Sequence, residues 1–345
     1  MQLSTTLDYT QDVLALAEQV CAMEAAGLDA VWVQEGYSFD AVSAIGYLAA
    51  RTERVQLGTA IANVFSRTPA LLAMTAAGLD HLSGGRFVLG LGSSGPQVVE
   101  GFHGVPYDRP LTRLKETVEI CRTVWRREPL VHEGRAFTVP LPPDQGTGLG
   151  KPLKLVNRPD RAEVPVFIAA LGAKSVEAAA EIADGWLPFF WVPSRAAAVY
   201  GDSLAAGAAR RPASRAPLQV VAPVEVAIGD DLPGSTWDHA RAHVALYVGG
   251  MGSRTANYYA DTARRMGWKA AADEIQDHFL AGRVAEARAA VPEEWLVEGN
   301  LIGTEAEVRA RIEAFAASGV TMLDLTVAGG HDPADTVRRL RALAG

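Results

Sequence analysis

Eight times along this 345-residue chain a short apolar run is followed by a helical pattern, and that alternation narrows the fold more than any other feature. The runs are "LSTTLDY" (3–9), "AVWVQ" (30–34), "VQLGTAIA" (55–62), "RFVLGLG" (86–92), "VPVFIAALG" (164–172), "GWLPFFWV" (185–192), "LQVVAPVEVAIG" (218–229) and "VTMLDLTV" (320–327). Between them, apolar residues recur at helical spacing, as in Val13, Leu16, Ala17, Val20 and Met23, which end at Gly27. Pro69 sits near one helix start, and Thr304 with Glu307 has the spacing of a capping box at another. Runs apolar on both faces suit parallel strands covered on both sides. A closed (β/α)8 TIM barrel and an open doubly wound sheet share these local patterns, and the count of eight favours the barrel. Two stretches break the rhythm. Residues 128–164 read as a small hairpin followed by a glycine-rich loop, and 230–303 as a mostly helical insertion. No linker separates them, so 1–345 reads as one domain.

The fourth run ends in "GLGSSG", with Gly90, Gly92 and Gly95 spaced as in a dinucleotide fingerprint. That fingerprint must close the first strand, open a helix at once, and precede by about 20 residues an acid that ends the next strand. Here it follows the fourth strand. The segment "GFHGVPYDRP" reads as loop before the next helix, and twenty residues on lies helix. The Rossmann reading fails. What remains is a turn at the C-terminal end of a barrel strand, where such barrels carry their chemistry. Ser93, Ser94 and Gly95 offer N–H groups and hydroxyls to a phosphate or a planar ring, or the glycines merely permit a tight turn.

Composition excludes several classes of function. With 49% hydrophobic and 21% charged residues the chain is globular, and a net charge of −8 argues against nucleic acid as a partner. Cys21 and Cys121 both sit in apolar helical patterns and read as buried packing thiols. His239 and His243, four residues apart in the insertion, read as one polar helix face, and no metal site is expected. No apolar stretch reaches membrane-span length and no signal-peptide pattern opens the chain, so a soluble cytoplasmic protein is expected.

"LGTAIANVFSRTPALLAMTAAGLDHLSGGRFVLGLGSSGPQVVEGFHG" (57–104) and "PVFIAALGAKSVEAAAEIADGWLP" (165–188) resemble the luciferase-like flavin and deazaflavin oxidoreductases. "YVGGMGSRTANYY" (247–259) and "LIGTEAEVRARI" (301–312) resemble the branch that uses coenzyme F420. The resemblance implies the eight-stranded barrel and a non-proline cis peptide at Ala60–Ile61 that backs the central flavin ring, with Asn63 just beyond. It implies a phosphate site at Ala170, Leu171, Gly172, Ala173, Lys174 and Ser175, where a helix N-terminus offers free N–H groups. Ser93, Ser94 and Gly95 would then line the ring or its side chain, with Gln97 and Val98 close behind and Gln34 at the end of strand two. The family's sugar-phosphate dehydrogenases carry an acid and a histidine where this chain has Gln34 and Glu35, and a glutamate where it has Gly95–Pro96. Their acid–base pair does not transfer. Glu35 is the local candidate for proton exchange, or a salt-bridge partner, and His103 is the second candidate, or a structural hydrogen bonder. Phe189, Phe190, Trp191 and Tyr37 are candidates for a substrate wall, and Arg67, Arg254 and Tyr258 for a cap over it. The family also implies a homodimer acting on a small-molecule substrate. Three functions follow: an F420-dependent oxidoreductase, an FMN-dependent monooxygenase, or a non-catalytic flavin-binding barrel.

Overall fold

The computed structural model describes residues 1–7, 11–252, 254 and 257–344. Its eight parallel strands close on themselves: β1 (Gln2–Leu7), β2 (Ala30–Val33), β3 (Gln56–Thr59), β4 (Phe87–Gly92), β5 (Val166–Ala169), β6 (Gly185–Leu187), β7 (Gln219–Ile228) and β8 (Met322–Val327). Closure comes from β7, which pairs with β6 at Gln219–Gly185 and with β8 from Val221–Met322 to Val226–Val327. Strand β8 in turn pairs with β1. The doubly wound alternative is therefore excluded.

Most differences from the sequence reading lie at strand ends. The first strand stops at Leu7, and the rest of "LSTTLDY" lies outside the described residues. The run 185–192 yields only three strand residues before α7 (Pro193–Ala208), because Phe190, Trp191 and Val192 turn into the outer core. Strand β3 is interrupted after Thr59, and chain pairing resumes at Ala62–Asn63, now against Leu91 and Gly92 of β4. A short helix, α4 (Pro96–Gly101), stands where a loop was expected, with Pro96 at its start and Val99 buried. A helix thus does open directly after Gly95, but its place after the fourth strand still rules out a Rossmann unit.

The core has two parts. The outer shell lies between strands and helices; the inner plug is Ala30, Trp32, Val88, Phe167, Val221 and Met322. Two glycines make the plug possible. A Cβ at Gly58 would lie 2.3 Å from the Trp32 ring, and one at Gly185 2.4 Å from the Phe167 ring. Trp32 and Phe167 meet at 5.4 Å between ring centroids, so two large rings fill the space that eight strands enclose. Above the plug, the next inward positions, Thr6, Gln34, Ala60, Ala169, Leu187, Pro223 and Asp324, are only half-buried. The barrel is plugged below and open at the C-terminal ends of its strands.

The excursion forms the expected hairpin, His132–Glu133 against Thr138–Val139. The Glu116 carboxylate of α5 (Pro110–Trp125) pins its turn by accepting the N–H groups of Arg135, Ala136 and Phe137, which hold its pKa below the usual value despite burial. The insertion builds α8 (Asp238–Gly250), α9 (Tyr258–Arg265), α10 (Lys269–Leu280), α11 (Val284–Ala289) and α12 (Glu293–Glu298). It ends in a short strand, Leu301–Gly303, that pairs with the outer half of β7. Thr304 and Glu307 form the capping box of α13 (Glu305–Ala317). Cys121 is buried as expected, whereas Cys21 is half-buried and donates its S–H to the Arg51 carbonyl. No helix among the described residues is long and apolar enough to cross a membrane.

Candidate active site

Strands β2 to β5 bring most of the expected cofactor residues to one side of the mouth. The Ala60–Ile61 peptide is cis. The bulge is fixed on both sides: Ala60 N–H donates to the Val33 carbonyl, and Thr59 Oγ1 bridges the N–H and carbonyl of Gly90 at 3.0 and 2.7 Å. The glycines of "GLG" make room for it. A Cβ at Gly90 would lie 1.7 Å from the Thr59 carbonyl oxygen, and one at Gly92 would lie 2.9 Å from Ile61. Their spacing therefore answers to a packing demand between neighbouring strands.

Asn63 is buried; its Oδ1 accepts the Phe65 N–H, while its Nδ2 has no hydrogen-bond partner. Ser93, Gly95 and Val98 are half-buried, Ser94 and Gln97 exposed, and Ser94 is left-handed with φ 54°. Tyr107 crosses this turn, donating its hydroxyl to the Ser94 carbonyl at 3.1 Å and stacking on Phe65 at 5.1 Å. Beside it, α6 (Ala173–Ile182) begins at Gly172 with no side-chain cap. Ala170 is buried, Leu171 and Gly172 are half-buried, Ala173 and Lys174 are exposed, and Ser175 folds back onto the Gly172 carbonyl. The ammonium of Lys174 pairs with Glu177 at 2.8 Å.

The two catalytic candidates are placed differently. Glu35 forms a two-pronged ion pair with Arg67, one contact being 2.8 Å, and accepts the Ala41 N–H at the start of α2 (Ala41–Arg51). The salt-bridge alternative raised for this residue is thus present, and it also occupies Arg67. His103 follows α4 and meets the exposed Phe102 edge-on at 5.3 Å. Arg254 pairs with Asp277. Tyr37 and Tyr258 are exposed, and Trp191 is buried against Tyr200 while also lining the cavity beside Phe189 and Phe190.

The opposite side of the mouth holds groups that the sequence reading missed. Asp324, inward on β8, accepts the Ser4 hydroxyl at 2.9 Å and the Thr6 hydroxyl at 2.6 Å. Burial pushes its carboxyl up to about 6, although both hydrogen bonds pull the other way. On β7, Glu225 is buried and takes Nδ1 of His239 at 2.6 Å. His243 lies flat on Phe189, 5.3 Å away and 8° from parallel. It is half-buried, and burial lowers its pKa to about 4. The polar-face reading holds for His239, which is exposed although it pairs with Glu225, and fails for His243, which α8 lays on Phe189. No group of three or more metal-ligating side chains is placed to hold an ion among the described residues. Period-two reading could have found both acids. Met322, Asp324 and Thr326 share one face of β8, and Val221, Pro223 and Glu225 one face of β7, each putting a carboxylate inward from an apolar run.

Comparison with known proteins agrees with this architecture. Residues 1–322 match the family model described as luciferase-like monooxygenase. The chain is 42% identical over 330 residues, 95% of its length and 93% of the other, to a Mycobacterium tuberculosis protein named "Putative coenzyme F420-dependent oxidoreductase Rv3520c". It is 28% identical over 302 residues, 87% of its length and 85% of the other, to the 5,10-methylenetetrahydromethanopterin reductase of Archaeoglobus fulgidus. Among solved structures, the coenzyme F420-dependent tetrahydromethanopterin reductase of Methanopyrus kandleri superposes with a TM-score of 0.79 at 21% identity, covering 98% of this chain and 96% of that one.

Proposed function

We propose, from the premise that this chain belongs to the luciferase-like monooxygenase family, that it is a coenzyme F420-dependent oxidoreductase acting on a small organic substrate. The observation that carries the reading is the 42% identity, along almost the whole of both chains, to a protein named for F420-dependent oxidation and reduction. The residues present fit such a coenzyme. A helix N-terminus without a side-chain cap suits its phosphate, and the absence of a side chain at Gly172 leaves that end uncovered. The buried, unpartnered Nδ2 of Asn63 is a donor awaiting an acceptor beside the cis bulge. When bound, the deazaflavin supplies a carbon that exchanges hydride with the substrate.

The chain's own contribution is position and exclusion of water. Ala60 and Ile61 would back the ring, Gln34, Ser93, Ser94, Gly95, Gln97 and Val98 would border it, and Ala170 to Ser175 would hold the phosphate. Glu35 fixes the loop after β2 through Arg67 and α2, and we assign it to holding that wall. Proton exchange would fall to groups across the mouth, with His103 left to border the opening. We take the protein to be a single-domain, cytoplasmic homodimer, in keeping with the family.

The test is a fluorescence titration of the apoprotein with F420 and FMN separately. Tight binding of F420 alone is expected. Preference for FMN would move the protein to the oxygen-using monooxygenases of this family, and binding of neither would overturn the phosphate site at Gly172–Ser175.

A further inference from the structure

The cofactor half of the mouth makes no use of the cavity between β6, β7 and α8. Its walls are the side chains of Phe189, Phe190, Val244 and Trp295, and its polar end is Glu225, His239 and His243. It joins the barrel mouth through Pro223 and Thr326, which flank Asp324 on the inner faces of β7 and β8.

Glu225 gives the cavity its chemistry. The residue is 7% exposed, yet its Oε2 has no hydrogen-bond partner. Nearby polar groups are committed elsewhere. His239 engages the other carboxylate oxygen. Asn300 accepts the Glu225 N–H with Oδ1 and donates Nδ2 to the Leu296 carbonyl, each at 2.9 Å. A buried oxygen left in this state is costly, and a donor arriving with a ligand would relieve it. The titratable groups facing this oxygen from β7 and α8 are His239 and His243, and among the described residues no lysine or arginine lines the cavity. His243, stacked on Phe189 and half-buried, is a neutral imidazole at ordinary pH. An anion entering here would meet a buried carboxylate and, among the described lining residues, no lysine or arginine to offset it. A neutral molecule with a flat apolar body and one hydroxyl meets aromatic walls and a free acceptor.

We propose that this cavity is a binding subsite for neutral, ring-sized hydroxyl compounds, with Glu225 Oε2 accepting the hydrogen bond of the ligand hydroxyl. The proposal rests on the F420-dependent reading only in calling that ligand the substrate.

The experiment uses the full chain without coenzyme and three probes of one shape, benzyl alcohol, toluene and benzoate, followed by ligand-observed saturation-transfer NMR. Benzyl alcohol should bind the wild-type protein at least fivefold more tightly than either of the others. In Glu225→Gln that preference should shrink at least threefold, and benzoate should gain. Toluene or benzoate matching benzyl alcohol in the wild type would overturn the proposal, as would no detectable binding of benzyl alcohol. An unchanged ranking in the variant would do the same. The wild-type ranking decides the matter even if the variant does not fold. Since no coenzyme is present, failure of the chain to bind F420 would be seen separately and would leave this result standing.

Discussion

Strands β3 to β5 present backbone to the mouth of the barrel, whereas β6 to β8 present side chains. On the first side the working parts are a cis bulge, a left-handed serine turn and an uncapped helix start. Their precision comes from steric contact: glycine at 90 and 92 lets two strands lie closer than any side chain allows. On the second side, two carboxylates sit inward among rings and hydroxyls, one of them held by a histidine on an inserted helix. A cofactor common to many enzymes suits a backbone cradle, which tolerates sequence change around it. Recognition of one substrate suits side chains, which can differ from one relative to the next.

The contrast can be broken most severely at Gly90. Gly90→Ala should cost about 3 kcal/mol or more, because the new methyl meets a backbone carbonyl that its own hydrogen bonds hold still. Chemical denaturation measures this, and a loss under 1 kcal/mol would show that the bulge can slide.

Asp324 tests the other half. Its folded carboxyl titrates near 6, against an ordinary 3.8, so the folded state holds the proton more tightly than the unfolded chain does. The contribution of this group is therefore fully present below pH 4 and is lost as pH rises through 6. Melting temperatures of Asp324→Asn and wild type across pH 4 to 7 should diverge, with the wild type falling more steeply. Parallel curves would mean that the carboxyl is solvated.

The smallest effect sharpens the comparison. Gly172→Asp should leave the melting temperature unchanged or slightly raised, since aspartate caps helices well. The same carboxylate should compete for the N–H groups of α6 and repel a phosphate, weakening F420 binding roughly tenfold, about 1.4 kcal/mol. Equal affinity for F420 would place the phosphate elsewhere.

Much of the backbone half was legible in the chain. "LGTAIAN", "GLGSSG" and "LGAKS" are local, and the glycines and helix starts they contain act within a few residues of themselves. The side-chain half was not, because its partners lie far apart in sequence. Ser4 meets Asp324 across 320 residues, and Glu225 meets a histidine from an insertion whose placement no local pattern fixes. Glu35 shows the same limit from the other side. Its position at a strand end left proton exchange and a salt bridge both open, and the partner that forms its ion pair, Arg67, lies 32 residues away.

By itself, then, the sequence determined the count and order of strands, the barrel they close into, the capping of the helices and the family. Each of these depends on periodicity and short-range chemistry, which a linear chain states directly. The tertiary structure alone decided which strand faces carry the inward acids, that α8 brings His239 to Glu225 and lays His243 on Phe189, and that Gly90 is small for the sake of Thr59. Those are contacts between distant segments, and they exist only once closure of the barrel sets the register of every strand against its neighbours.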